Sequence, residues 1–321
     1  FFDVGDSLSA VELATDLEEQ IGRRVAIGLL LAARTPRSIS TALDLADASR
    51  RTTGLASDDS LLVELRPGRG VRSTDDPVPP LLVMPHAGGN LVPFDGLVHG
   101  LDDRLPVIGF ELPGARRDDE FPESLGALVD RYLDELLVVH PAGPYRFLGW
   151  SFGGVVALEL ARRLEARGEI VELVAMIDTL VPGMQRSDRG AAYREAYADG
   201  GVGAVAQRIG RSLAYRAEYA LGEIRGRRAA RTGERLSAAD RNTWLTIRID
   251  EIVEAHPPPS WDGSVLYFAA IDTPRQRSTE PWADLLTGLE IVEVDGHHDG
   301  PDGLLASHTD ELARALSDRL V

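Results

Sequence analysis

The chain has 321 residues, 44% of them hydrophobic, which is enough to bury the core of one large domain or two smaller ones. Its formal net charge of −17 argues against a nucleic-acid partner, which requires clustered positive charge to displace counterions, and the absence of cysteine removes disulfides, thiolate metal sites and a cysteine nucleophile. Lysine is also absent, so arginine carries all the basic charge, and no apolar run approaches the ~18 residues of a membrane span. The composition therefore predicts a cytoplasmic protein with neither a nucleic-acid nor a membrane partner. The first residue is Phe rather than Met, which reads as a fragment of a longer protein.

The first 50 residues have helical spacing. Leu8, Val11, Ala14, Leu17 and Ile21 recur on one face, and Ser9 with Glu12 would form a capping box. Thr35-Pro36 predicts a second helix, with an N-cap followed by Pro at the first helical position and an apolar face of Ile39, Leu43 and Ala46. From Leu61 the pattern changes. Apolar strands at 61–65, 80–84, 107–112, 145–148 and 173–177 alternate with helices at 125–139 and 153–166, as in a doubly wound, mostly parallel sheet. Between about 183 and 247 the alternation gives way to a helical stretch rich in Ala, Arg and Tyr, predicted to be a lid. Strands at 265–270 and 289–294 and a closing helix at 309–320 follow the Pro257-Pro258-Pro259 break.

Gly149-Trp150-Ser151-Phe152-Gly153 is a G-x-S-x-G motif set between a strand and a helix. That context makes the pattern specific, because the glycines let the chain turn sharply and lift the serine hydroxyl above the sheet edge at a helix N-terminus. A serine hydroxyl needs a base, and the base needs an orienting carboxylate, in the chain order Ser, Asp or Glu, His. Of the histidines after Ser151, His297 and His298 follow a strand end, on the same edge as the nucleophile. His256, beside the proline run, and His308, beside the last helix, read as structural. Asp178, after the strand 173–177, is the first candidate carboxylate, and Asp272, after the strand 265–270, is the second. The oxyanion requires backbone N–H donors. Phe152 supplies one, and the loop Pro85-His86-Ala87-Gly88-Gly89-Asn90 supplies the other, at Ala87.

These motifs resemble a known family. Residues 61–321 are similar to the terminal thioesterase domains of nonribosomal peptide and polyketide synthases, on Pro85-His86-Ala87-Gly88-Gly89, Gly149-Trp150-Ser151-Phe152-Gly153-Gly154, Met176-Ile177-Asp178 and Gly296-His297-His298. The resemblance implies an α/β-hydrolase fold with a helical lid. It also favours Asp178 over Asp272 and selects His298 over His297. Phe1-Phe2-Asp3-Val4-Gly5-Asp6-Ser7-Leu8 resembles the attachment motif of a peptidyl or acyl carrier protein, with one glycine where that family usually has two. It implies 4′-phosphopantetheine on Ser7, a partial carrier domain at 1–52 whose first helix precedes Phe1, and a linker at 53–60. The partners implied are upstream synthase domains (condensation and adenylation, or a ketosynthase), a phosphopantetheinyl transferase and a carrier-bound acyl substrate.

Together these features predict acyl release from a carrier thioester through an acyl-Ser151 ester, by hydrolysis or macrocyclisation. A free-standing serine esterase or lipase and a non-catalytic carrier-docking module are the alternatives. Eight arginines between Arg208 and Arg235 (208, 211, 216, 225, 227, 228, 231 and 235) stand against Glu218, Glu223 and Glu234. They form either an anion-facing surface for the carrier or a solvated face with internal ion pairs.

Overall fold

The computed structural model describes residues 7–22, 25, 30, 35–41, 43, 60–68, 78–114, 121–183, 217, 219–234, 236–271, 279–298 and 303–321. The first helix, α1, is Ser7–Ile21. It opens two residues before the expected cap, so Ser9 lies inside the helix. Ala14 is buried as its spacing predicts, whereas Ile21 is 41% exposed. The second predicted helix starts where expected, with residues 36–41 helical. The amide of Ser38 donates to Thr35 Oγ1 at 3.2 Å and the amide of Thr35 to Ser38 Oγ at 3.0 Å, a reciprocal cap that fixes the first turn.

The body is a sheet with helices on both faces. In chain order its elements are β1 Leu62–Arg66, β2 Leu81–Met84, a 3-10 turn Val92–Phe94, α2 Asp95–Gly100, β3 Val107–Phe110, α3 Leu125–Val139, β4 Tyr145–Trp150, α4 Phe152–Glu165 and β5 Val171–Ile177. A helical segment at 219–232 precedes α5 Ala238–Glu254. Then come β6 Trp261–Ala270, α6 Thr279–Ala283, β7 Leu286–Val294, α7 Leu304–Ser307 and α8 Thr309–Leu320. Among the described residues the sheet has seven strands in the order β1-β3-β2-β4-β5-β6-β7. β1 pairs antiparallel with β3, and the other neighbours are parallel.

The alternation of side chains along the strands makes two cores. Tyr145 and Phe147 of β4, Val174 and Met176 of β5, and Val265 and Tyr267 of β6 face α3, α4 and α5. Leu148, then Leu173, Ala175 and Ile177, then Leu266 and Phe268 face the other way, toward α2 and α8. Both faces of the central strands are therefore dry, as expected of near-continuous apolar runs in a parallel sheet. α1 packs on the second core and touches α5 and the 3-10 turn.

Short α2 has no capping side chain of its own and is tied down from a distance. Arg66, at the end of β1, donates to the carbonyls of Val98, Leu101, Asp102 and Leu105 at 2.6–3.0 Å. One guanidinium thus ties the end of α2 to the loop that follows it. Arg66→Ala should lower the urea-unfolding free energy by about 1–3 kcal/mol, because four part-buried acceptors lose a charged donor. An unchanged unfolding midpoint would show that water replaces those bonds without cost.

Candidate active site

Ser151 stands at the C-terminal end of central strand β4, with φ 55° and ψ −120°. A positive φ is costly for a non-glycine residue and is held by its surroundings. The Ser151 amide donates to Ile177 O at 2.9 Å, and Gly154 N donates to Ser151 O at 3.1 Å. The turn is tight enough to exclude side chains. A β-carbon on Gly149 would lie 2.1 Å from the Gly153 backbone, and one on Gly153 would lie 2.8 Å from Pro85 O. The Ser151 hydroxyl makes no capping bond to α4, although it holds the N-cap position.

Asp178 follows β5 and is 1% exposed. It too has a positive φ, 39°. Its amide donates to Phe268 O at 2.9 Å. The next carbonyl, of Thr179, accepts from Tyr267 Oη at 2.9 Å and from Trp282 Nε1 at 2.7 Å. Buried aromatic donors therefore fix this loop from behind. His298 Nδ1 lies 2.5 Å from Asp178 Oδ2. With Nδ1–H donated to the carboxylate, Nε2 is left as the acceptor that a general base needs. His297, its neighbour, is exposed. Its backbone carbonyl accepts from Leu304 N at 3.0 Å, which anchors the loop that carries His298.

The structure thus joins Asp178 to His298 and sets both at the edge where β4 turns at Ser151. Asp272 lies outside the described residues. His256 sits 3.7 Å from Glu159, and His308 stands between α7 and α8, both away from this pair. Phe152 is the first residue of α4, and Ala87 lies in the turn closed by Gly89 N donating to His86 O at 2.8 Å. Among the described residues neither the Ala87 nor the Phe152 amide donates to a carbonyl outside its own helix or strand. Ser7 is the first residue of α1, at a helix N-terminus suited to a phosphodiester.

Two side chains of the site were not singled out from sequence. Trp150 lies with its ring centroid 5.3 Å from His298 and 5.0 Å from His86. His86 Nδ1 accepts from Gly88 N at 3.0 Å. An aromatic residue directly before the nucleophile and a histidine directly before the oxyanion donor were the signals available.

A groove of about 700 Å³ opens between the 219–232 segment, α5 and Phe121. Arg248 lies over the rings of Phe121 and Trp244, at 5.6 and 5.8 Å from their centroids. The arginines of this insertion are paired internally. Arg225 meets Asp240 at 2.6 Å, Arg227 meets Glu223 at 2.9 Å and Glu251 at 3.5 Å, and Arg228 meets Glu234 at 3.0 Å. These three form a solvated face with its own counter-ions, not an anion-facing surface. Arg208, Arg211, Arg216 and Arg235 lie outside the described residues.

A strained serine at a strand-to-helix turn, beside an Asp–His pair from later strands, defines an α/β-hydrolase. Sequence comparison narrows the class. Residues 79–211 match the family described as "Thioesterase domain", and residues 1–43 match the "Phosphopantetheine attachment site" family. The dimodular nonribosomal peptide synthase of Bacillus subtilis (strain 168) is 28% identical over 308 residues, covering 93% of this chain and 12% of that protein. Enterobactin synthase component F of Escherichia coli (strain K12) is 29% identical over 297 residues, covering 92% of this chain and 21% of that protein. The chain thus spans a small part of the length of the curated relatives it matches. The NocB thioesterase domain, solved as a covalent complex with a fluorophosphonate nocardicin G analogue, shares the fold. Its TM-score is 0.53 at 21% identity, covering 76% of this chain and 95% of that one. The chain carries a thioesterase domain preceded by a phosphopantetheine attachment site. No helix among the described residues is long and apolar enough to cross a membrane.

Burial pushes the His86 imidazole down from 6.5 to about 4, with the Asn90 side chain opposing the shift and the charge of nearby His298 adding to it. As pH falls, the unfolded chain takes up this proton first. The stabilisation is therefore complete above 6.5 and is lost on the way down to about 4. Urea unfolding between pH ~7 and ~4.5 should show a steeper loss for the native protein than for His86→Asn. Equal losses would mean that the ring titrates as in water.

Proposed function

We propose that the chain releases an acyl or peptidyl chain from a carrier-bound phosphopantetheine thioester through an acyl-Ser151 ester, by hydrolysis or macrocyclisation. The observation that carries this reading is the bond from His298 Nδ1 to Asp178 Oδ2 at the strand edge where Ser151 turns. The thioesterase and attachment-site matches support the substrate class.

Residues 1–52 act as the partial carrier domain, 53–60 as linker and 61–321 as the thioesterase domain, with the helical insertion at 183–247 as its lid. Ser7 suits phosphopantetheine because its hydroxyl can form a phosphodiester where α1 begins. When attached, that arm supplies the thiol that holds the acyl chain. His298 Nε2 takes the Ser151 proton as Oγ attacks the thioester carbonyl. The oxyanion is held by the amides of Phe152 and Ala87. As the C–S bond breaks, His298 returns the proton to sulfur and an acyl-Ser151 ester remains. In the second half His298 deprotonates water, or an amine or hydroxyl of the chain itself. That nucleophile displaces Ser151, which regains its proton. Asp178 keeps His298 in the right tautomer and stabilises the imidazolium in both halves.

The curated relatives are peptide synthases several times longer than this chain, so its partners are upstream synthase domains, and a phosphopantetheinyl transferase loads Ser7. A second copy of the fold need not take part in any step.

Ser151→Ala should abolish hydrolysis of soluble acyl-pantetheine thioesters and labelling by a fluorophosphonate, with an unchanged melting curve. Substantial residual turnover would remove Ser151 from the mechanism. Asp178→Asn should lower kcat by roughly 10³–10⁴, since a neutral partner permits the wrong imidazole tautomer. Ser7→Ala should leave soluble thioester hydrolysis intact and abolish the mass increase on treatment with a phosphopantetheinyl transferase. Loss of soluble hydrolysis in that variant would break the separation of roles.

A further inference from the structure

We propose that His86 is a positioning residue for acyl release, one ring that braces the oxyanion loop on one side and, through Trp150, the catalytic imidazole on the other. The inference rests on the reading of Ser151 and His298 as nucleophile and base.

The loop contact is specific to one form of the ring. Gly88 N–H donates to His86 Nδ1 at 3.0 Å, and Gly89 N–H donates to His86 O at 2.8 Å. These two bonds enclose Ala87 between the side chain and the carbonyl of His86. The ring also lies against the loop backbone, since a β-carbon on Gly88 would stand 2.3 Å from His86 Cε1. Because Nδ1 accepts, the proton must be on Nε2. Among the described residues Nε2 is buried without a hydrogen bond of normal length, and the Asn90 side chain stands close enough to act on the ring.

The second contact is a stack. The His86 and Trp150 rings are 5.0 Å apart and tilted by 36°, and the Trp150 and His298 rings are 5.3 Å apart and tilted by 38°. Among the described residues Trp150 Nε1 is likewise buried without a hydrogen bond, so the indole is held by ring contacts and by packing against the second core. His298 is therefore fixed by its bond to Asp178 at one edge and by the indole against its face. Moving His86 displaces both the amide that receives the oxyanion and the wall behind the base.

The two contacts separate by substitution. Asn can place a carbonyl oxygen near the Nδ1 position but has no ring, whereas Phe keeps the ring and has no acceptor. The purified full chain is assayed on a soluble octanoyl-pantetheine thioester for kcat and KM, with melting curves for every variant. His86→Phe should lower kcat by roughly 10²-fold with KM within about 3-fold, as expected for a displaced oxyanion donor. His86→Asn should stay within ~10-fold of the native kcat, because the loop bond survives. For the stack, Trp150→Leu should shift the acid limb of the kcat/KM–pH profile, and Trp150→Phe should hold it near its native midpoint. An Asn variant no better than Phe, a loss confined to KM, or a Trp150→Leu profile that coincides with the native one would each overturn the proposal. If His86→Ala fails to fold, the Asn and Phe pair still ranks acceptor against ring. An active Ser151→Ala protein would instead sink the underlying reading, whatever the ranking at position 86.

Discussion

The first turn of α4 approaches the sheet more closely than side chains allow, and the arrangement of the site follows from that approach. Gly149 and Gly153 would clash backbone to side chain with any β-carbon, at 2.1 and 2.8 Å. Only with both as glycine can β4 reverse into α4 within one residue. That residue is Ser151, which absorbs the reversal as a positive φ. The same closeness makes the Phe152 amide the first of the helix, free of an intrahelical acceptor. It also lets Ser151 N bond to Ile177 O, which locks the nucleophile to the end of β5. Asp178 is the next residue along, so the nucleophile and the orienting carboxylate are fixed relative to each other through main chain.

Side chains behind the loops then resist the strain. Tyr267 and Trp282 both donate to Thr179 O, from β6 and α6. These are large buried aromatics whose polar ends meet at one carbonyl. Their need for an acceptor and the loop's need for an anchor are met by one carbonyl. A positive φ at Asp178 is thus held both by its own amide bond to Phe268 O and by core groups that fix the next carbonyl.

Much of this was legible in the sequence. Strand and helix alternation located the sheet, α3 at Leu125–Val139 and α8 at Thr309–Leu320, because long apolar periodic runs admit few alternatives. Ser151 was legible because a glycine-flanked serine between an apolar strand and a helix has one common use. Spacing alone left His297 against His298 and Asp178 against Asp272 open; the family resemblance chose within each pair. The structure joins Asp178 to His298 and leaves Asp272 outside the described residues. Other features were illegible for physical reasons. α2, α6 and α7 have four to six residues each, too short for a period to show. The pairing of two of the arginines counted over 208–235 was hidden by the window. Asp240 and Glu251, which pair with Arg225 and Arg227, lie beyond it on α5 and return to the same face only when the helices pack. The tilted ring contacts of His86, Trp150 and His298 join two loops and the end of β4, distant in sequence, and no local pattern encodes them.

α5 connects the parts of the molecule. On one side it touches α1, the helix that begins at Ser7. On another, Asn242 Oδ1 stands 3.0 Å from where a Gly88 β-carbon would be, against the loop that holds the Ala87 amide. A third face carries Trp244 and Arg248 into the groove. The contact between α1 and the body need not be strong. α1 and the body belong to one chain, and linkage within one chain raises the effective concentration of one partner near the other. An interface that would be negligible between separate molecules is then occupied for a useful share of the time. A tighter interface would add little occupancy and would slow departure, because affinity within one interface is tuned mainly through the off-rate. Ala14, Leu13 and Leu17 supply the apolar side of that contact. The same helix that touches α1 stands against the loop that holds Ala87, so both lie on one rigid element.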